Sequence, residues 1–397
     1  MDTRFLLTLM LLTTPAFALE NLQLSLDIRG TSLSQLMNLK ITSLSKKTQA
    51  LNSAPAAVYV LSRDEIARMG VTQIPEVLRY VPGVQVARRN ASQWAIGIRG
   101  FNSSLSNKLL VMIDGRSIYS TLYSGVIWEE KDVLLDDVER IEVIRGPGGA
   151  IWGGNAVNGV INIITRNAAD TRSGLIEAGG SVGNNGLLQA RQGWALSDHT
   201  DIRIYTKLTQ QEQTGGVYQN DNNQHRQLGF RLDQRQSDSN QLTLQGDYYE
   251  GGLGDVDSSQ KPSGREHYGG NVLLRWTITD SQQRQHQLQA YYDKTYLEVS
   301  TLTDDRSVLD LDYQVEQRVG RHQWVAGLGS RRVDDEVITT PAGLLAPEQE
   351  TDYVQSAFFQ DDMSLFGSDL HLIFGTKYER NDYSGSEWQP SLRSSYQ

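Results

Sequence analysis

Four groups of residues in this chain have types and spacings that could do chemistry. The first is the glycine-rich stretch Ile141–Thr165, IEVIRGPGGAIWGGNAVNGVINIIT. A phosphate-cradling loop would close on Gly-Lys-Ser/Thr, and no lysine occurs between Ile141 and Thr165. A dinucleotide fingerprint opens at Gly146-Pro147-Gly148 but needs a glycine where Ile151 stands. The glycines therefore read as backbone devices, places where a strand turns sharply or a second backbone passes close by. The second group is Gly179-x-Ser181-x-Gly183, which has the spelling of a nucleophile elbow. It sits at the end of an alternating strand and runs into the hairpin-like Asn184-Asn185-Gly186, where an elbow needs a helix. The third group, the six histidines (His199, His225, His267, His286, His322 and His371), shows no i,i+4 or HExxH spacing and reads as lumen, loop or rim residues. The fourth, Asp255 and Asp257, could help hold calcium but lacks the other EF-hand positions, so a solvated acidic loop is the plainer reading. No catalytic constellation assembles. The expectation is a chain that is not an enzyme and has neither a cofactor nor a metal centre.

The aromatic residues are a better lead to a ligand. Trp94, Tyr119, Tyr123 and Trp128 flank loop segments, in company with Arg88, Arg89, Asn90 and Gln93. Amphipathic side chains of this kind suit ligand contact, and they suit aromatic core packing equally.

The elements that must position these residues fall into two grammars. Phe5–Leu12 is the longest apolar stretch, and it precedes Ala16-Phe17-Ala18, so residues 1–18 read as a secretory signal. With 39% hydrophobic residues and a mean hydropathy of −0.43, no run approaches the roughly 20 apolar residues of a spanning helix, so any membrane crossing is by strands. An exported chain without cysteine has neither a disulfide framework nor a thiolate metal site. A net charge of −10 argues against a nucleic-acid partner.

From about Ala57 to Thr165 the pattern is that of a small α+β domain. Val58–Leu61 is β-branched, Ser62-Arg63-Asp64-Glu65 is a capping box, and Gly70 is a helix stop. A second helix carries Ile74, Val77 and Leu78 on one face, with Pro75 in its first turn and Pro82-Gly83 after it. Short strands follow at Val84–Ala87, Ala95–Arg99, Leu109–Ile113, Ile141–Ile144 and Val160–Thr165, with a turn at Asp114-Gly115.

Beyond Arg172 the residues alternate with period two. Ile202, Ile204, Thr206 and Leu208 stand against Arg203, Tyr205 and Lys207, and Leu309, Leu311, Tyr313 and Val315 against Asp310, Asp312, Gln314 and Glu316. About eleven strands, many of roughly 10 to 14 residues, are joined by short connections alternating with long ones at Gln210–Gln224, Glu250–Arg265 and Val337–Glu350. That asymmetry describes an outer-membrane β-barrel, because lipid supplies no hydrogen bonds and a spanning sheet must pair every strand.

Five stretches in order, VYVLSRDEI (Val58–Ile66), VLRYVPGVQV (Val77–Val86), IGIRGF (Ile96–Phe101), VMIDGRSIY (Val111–Tyr119) and VERIEVIRGPGGAIWGGNAVNGVINIIT (Val138–Thr165), resemble the plug signatures of the TonB-dependent outer-membrane receptors, nearest to the siderophore, colicin and vitamin B12 receptor-like group. The resemblance implies a periplasmic leader at 19–50, a plug at 51–168 and, at 172–397, part of a barrel that has 22 strands in the family. About half of such a barrel fits here, so the chain is expected to be a C-terminally truncated fragment. The implied activity is import of a scarce ligand across the Gram-negative outer membrane, a ferric siderophore first, with cobalamin or another non-iron ligand, or surface binding without import, as alternatives. The energy comes from the proton gradient through TonB, with ExbB and ExbD behind it, and colicins or phage are further binders that the family implies.

Residue by residue, the resemblance places a TonB box at Leu39, Lys40, Ile41, Thr42, Ser43, Leu44 and Ser45, an extended segment suited to strand addition, with Leu22–Leu26 as rival. It places apical ligand-binding positions at Arg89, Asn90, Ser92, Gln93, Trp94, Tyr119, Tyr123 and Trp128. Arg99, Gly100, Arg145, Gly146, Pro147, Gly153, Gly159 and Asn162 become plug structural or gating residues, with Arg99 and Arg145 expected to face barrel-wall carboxylates.

Overall fold

Two sheets of different character organise the chain in a computed structural model that describes residues 40–43, 46, 49–50, 56–181, 185–212, 221–256, 262–299, 302–339, 347–366 and 370–396. The signal segment, Leu22–Leu26, Leu39, Leu44, Ser45, Gly183 and Asp257 lie outside these residues.

The first unit begins with a small hairpin, β1 (Lys40–Ile41) and β2 (Gln49–Ala50). Its centre is a five-stranded mixed sheet of β3 (Ala57–Ser62), β6 (Leu109–Ile113), β7 (Arg116–Ser117), β8 (Val138–Arg145) and β9 (Gly159–Thr165), in the order β3-β8-β9-β6-β7. Only β6 and β9 run parallel. Apart from this sheet, β4 (Val84–Arg88) pairs with β5 (Trp94–Ile98). The helix Arg63–Met69 starts where its cap predicts. Glu65 N–H donates to Ser62 Oγ, Ser62 N–H donates to Glu65 Oε2 at 2.8 Å, and Gly70 closes the helix at φ +65°. The second helix, Ile74–Leu78, buries Ile74, Pro75, Val77 and Leu78. Both helices pack on one face of the sheet, where Leu61, Ile66, Val111, Ile141, Val143 and Ile161 form the centre of the core.

The glycine-rich stretch resolves into strand β8, a turn, a four-residue helix Gly149–Trp152 that the sequence pattern did not reveal, a second turn and strand β9. Gly146 and Gly153 take φ +131° and +93°, values that a side chain resists. At Gly159 the need is spatial, since a Cβ there would sit 2.5 Å from the Ile144 carbonyl oxygen of the neighbouring strand.

The second unit is one antiparallel sheet of twelve strands, each paired with the next in sequence, from β10 (Leu175–Ser181) to β21 (Gly385–Tyr396). The count is one more than the alternation suggested, and the strands reach 18 residues, as in β15 (Pro262–Thr279), β17 (Leu302–Val319) and β18 (His322–Thr339). The largest departure is at Glu250–Arg265. The sequence marks a long loop there, but β14 (Asn240–Val256) and β15 stay paired up to Val256↔Pro262. Glycines and charges weaken the hydrophobic signal, while backbone pairing continues wherever a neighbour strand offers partners.

Alternation sorts the side chains as a barrel wall requires. Leu228, Tyr248, Tyr268, Val272, Trp276, Leu309 and Leu311 face outward and are exposed, whereas Lys207, His225, Gln227, Arg231, His267 and Gln289 face inward and are buried against the first unit. Short turns such as Ser197–Thr200, Ser237–Asn240 and Val319–His322 share one rim. Ser181 pairs with Asn185 across a hairpin, so the Gly-x-Ser-x-Gly spelling forms no elbow.

Candidate functional site

The seam between the small domain and the wall is built from charge. Asp114, at the turn after β6, is buried, accepts from Thr165 N–H at 2.9 Å and from Gln245 Nε2 at 2.8 Å, and has Arg231 3.9 Å away. Burial works against its charge, but Arg231 and Arg275 outweigh that and hold its carboxyl below the ordinary value. Arg116 of β7 pairs with Asp293 of the wall strand β16 (Gln285–Val299). Lys131 donates to the Tyr249 hydroxyl at 2.9 Å and lies 4.9 Å from the centre of that ring. Each of these pairs crosses from one domain to the other, so the two cannot separate without stranding buried charges.

Two loops of the small domain reach the rim opposite the short turns. In the first, Asn90 Oδ1 accepts the N–H groups of Ser92 and Gln93, which closes an Asx turn, and Ala91 N–H donates to Asp221 of the wall at 2.8 Å. Arg89 is exposed, Asn90 and Gln93 are half-buried, and Ser92 is buried. Trp94 is only 3% exposed and belongs to the core, sandwiched by Arg79 and Arg88 at 5.3 and 5.2 Å from its ring. The second loop folds on the Ser120–Gly125 backbone pair and leaves Tyr119 and Tyr123 half-buried, while Trp128 is again a core residue. Of the two roles open to the aromatic set, core packing therefore goes to Trp94 and Trp128, while Tyr119 and Tyr123 are half-buried in the loop, the Tyr123 hydroxyl pointing away from solvent.

The leader is pinned at the other end of the seam. Thr42 and Ser43 donate their backbone N–H groups to the buried Glu142 carboxylate at 3.0 and 2.8 Å, and Arg140 Nε donates to the same group at 2.8 Å. The Trp152 indole donates to the Ser43 carbonyl at 2.6 Å, and Asn162 Nδ2 to Ser43 Oγ at 2.9 Å. Lys46 crosses to the wall, 2.7 Å from Asp312 and over the rings of Trp152 and Phe358. Ile41 and Ser43 are buried and Thr42 between them is half-buried; the strand ends at Ile41 and the chain turns at Ser43.

A cavity of about 1200 Å³ with a mixed polar and apolar lining connects these places. Thr42, Ser43 and Lys46 border it at one end and Tyr119, Thr121 and Arg306 at the other. Asp310, Asp312 and Arg331 of the wall lie between them.

Among the described residues, Arg145 donates to the Pro82 carbonyl at 3.0 Å and Arg99 is exposed beside Gly146, while the wall carboxylates Asp293 and Asp312 pair with Arg116 and Lys46. Spacing alone identifies none of the cations that cross the seam, because register across two sheets selects them. Gly153 faces Glu379 and Lys377 of the wall, and Gly100 takes φ +94°. Among the histidines, His225 Nδ1 and His267 Nε2 lie 3.3 Å apart behind Lys131, while His286, His322 and His371 each contact an aspartate. Among the described residues no group of three acidic or imidazole side chains is placed to hold a metal.

The family model of the TonB-dependent receptor plug domain matches residues 50–160. The chain is 26% identical over 369 residues to an iron-regulated outer membrane virulence protein of Vibrio cholerae, covering 87% of this chain and 55% of that protein. It is 31% identical over 224 residues to the vitamin B12 transporter BtuB of Photobacterium profundum, covering 53% of this chain and 35% of the transporter. Among solved structures, the ferripyoverdine receptor of Pseudomonas aeruginosa aligns with a TM-score of 0.72 at 14% identity, over 90% of this chain and 57% of that one. The siderophore receptor PirA of the same organism aligns with a TM-score of 0.68 at 20% identity, over 86% and 59%. The chain thus spans little more than half the length of the iron-regulated relative and of the two receptor structures.

Proposed function

From a chain that belongs to the TonB-dependent receptors of the Gram-negative outer membrane, plug domain followed by barrel wall, we propose energy-coupled import of a scarce ligand, a ferric siderophore in the first instance. Receptors of this family are not enzymes, and the role assigned here is transport. The observation that carries the proposal is the leader. Thr42 and Ser43 are fastened to the plug, through Glu142, and Lys46 to the wall, through Asp312, at the foot of the cavity whose upper end is the Tyr119–Thr121 loop. A pull on such a leader loads the seam that separates the two ends of the cavity. The segment Leu39–Ser45 is the proposed TonB box, presented for strand addition once freed from Glu142. Arg89, Asn90, Gln93, Tyr119 and Tyr123 are the proposed ligand contacts.

The iron reading draws on the iron-regulated relative and the siderophore receptors of like fold, and the B12 transporters supply a specific second reading, cobalamin import. Uptake of radiolabelled ferric siderophore and of radiolabelled cobalamin, in cells expressing the full-length gene with and without TonB, tests both. Import predicts accumulation of one ligand that disappears without TonB. Equal accumulation in both strains for both ligands rejects import and leaves a surface-binding receptor.

A further inference from the structure

Beneath the apical loops, on the inner face of the wall, two imidazoles meet across a glycine. His225 of β13 (Asn223–Ser237) and His267 of β15 are each the register partner of Gly251 on β14, the strand between them. A Cβ at Gly251 would lie 2.5 Å from the His267 ring, so the missing side chain is what lets the two rings close over this position. They stack with centroids 5.6 Å apart at an interplanar angle of 17°, and His225 Nδ1 lies 3.3 Å from His267 Nε2. Tyr249 stacks on His225 at 5.7 Å and accepts the Lys131 ammonium of the plug through its hydroxyl at 2.9 Å. Both histidines are buried, and their outer nitrogens, His225 Nε2 and His267 Nδ1, have no hydrogen-bond partner among the described residues.

Two neutral imidazoles carry two N–H protons, one for the bond between the rings and one for an outer nitrogen. A third proton would make both outer nitrogens unpaired donors and would place a charge beside Lys131 and near Arg265, two residues before His267. The carboxylates on the facing elements are already taken. Asp132 lies 2.7 Å from Lys207, Glu129 3.6 Å from Arg265, and Glu130 and Asp293 each 3.9 Å from Lys131. A buried charge without a counter-charge is stable only where it reaches water, which here means a parted seam. A chamber of about 20 Å³, room for one water molecule, lies against His225 between Asn223 of the wall and Ser92 and Lys131 of the plug, and it gives the proton an entry. We propose that the His225–His267 pair is a proton-operated latch that, while neutral, closes the wall against the plug loops at Ala91 and at Glu129–Asp132 and, once protonated, parts them. The latch acts on loop docking, whether or not the receptor imports.

Amide hydrogen exchange of the full-length receptor in detergent, read by mass spectrometry at about pH 7.5 and about pH 4.5, on either side of the ordinary imidazole value of about 6.5, tests the latch. After correction for the intrinsic pH dependence of exchange, protection of segments 89–94 and 128–132 should fall about tenfold or more on acidification of the wild type. His225→Gln and His267→Gln should lose most of that response, and His286→Gln, at the short-turn rim beside Asp280, should keep it. Glu130 cannot supply such a loss, because burial pushes its carboxyl up and acid therefore stabilises it. Heat-modifiable migration identifies variants that still fold, and where a glutamine variant does not, the phenylalanine replacement, which keeps the ring stack, takes its place. Unchanged wild-type protection between the two pH values, the full response surviving in a folded His225 or His267 variant, or its loss in His286→Gln overturns the latch.

Discussion

At the scale of single residues, burial decides which polar groups matter. Glu142 is fully buried and receives four donors, two of them backbone N–H groups and one a hydroxyl of the leader. Glu142→Gln keeps one acceptor oxygen but discards the charge, which should weaken leader docking by about 1 to 3 kcal/mol. Amide hydrogen exchange at Thr42 and Ser43 should quicken accordingly, and unchanged protection there would show that Glu142 does not hold the segment. Glu130 illustrates the opposite situation. Burial lifts its carboxyl from the ordinary 4.5 to about 8, with Lys131 pulling it down and Glu129, Asp304 and Arg265 adding smaller effects. A folded-state value above the unfolded one means that the stability contribution is complete below about pH 4.5 and is lost as pH rises through about 8. The denaturation midpoint should therefore fall between pH 5 and pH 9, and Glu130→Gln should flatten that fall. An identical slope in both proteins would remove Glu130 as the cause.

At the scale of elements, the plug is a small sheet whose strands touch closely and whose aromatic residues fill its core. Gly159 has no room for a methyl group beside the Ile144 carbonyl, so Gly159→Ala should cost about 1 to 3 kcal/mol by forcing β8 and β9 apart. Trp94→Ala should cost about 3 to 5 kcal/mol, because it empties a core site that the loop position of this residue in the sequence conceals. Arg89→Ala, in the loop that precedes β5 and exposed, should leave stability within about 0.5 kcal/mol of wild type. Chemical denaturation of the three variants, followed by tryptophan fluorescence, checks the order, and a Trp94→Ala protein as stable as Arg89→Ala would contradict the core assignment. The wall strands obey a different rule. Each of their faces meets a different environment, so alternation survives even where glycine and charge make a segment such as Glu250–Arg265 read as loop.

At the scale of the whole molecule, plug and wall are joined by ion pairs and by one small apolar cluster, where Ile151 and Trp152 of the plug meet Val325 and Phe358 of the wall. Arg116 with Asp293, Lys46 with Asp312 and Asp114 with Arg231 are largely withdrawn from water, and breaking one partner of such a pair costs far more than a surface pair would. Asp312→Asn should therefore loosen the leader while leaving the plug core folded. A spin label at position 45 in the full-length receptor should gain mobility, and unchanged mobility would place the tether elsewhere. Much of this was legible in order along the chain. The Ser62–Glu65 cap, the proline-led helix at Ile74, the Leu109–Ile113 strand and the two-residue period beyond Arg172 are local signals, set by propensity and by which face meets lipid or solvent, and the sequence by itself determined them. Only the tertiary structure decided that Trp94 and Trp128 pack inward and that Arg116, Lys46 and Lys131 meet the wall carboxylates Asp293 and Asp312. Those outcomes depend on the register between a plug and a wall more than a hundred residues apart, and no spacing within either segment encodes how the two surfaces meet.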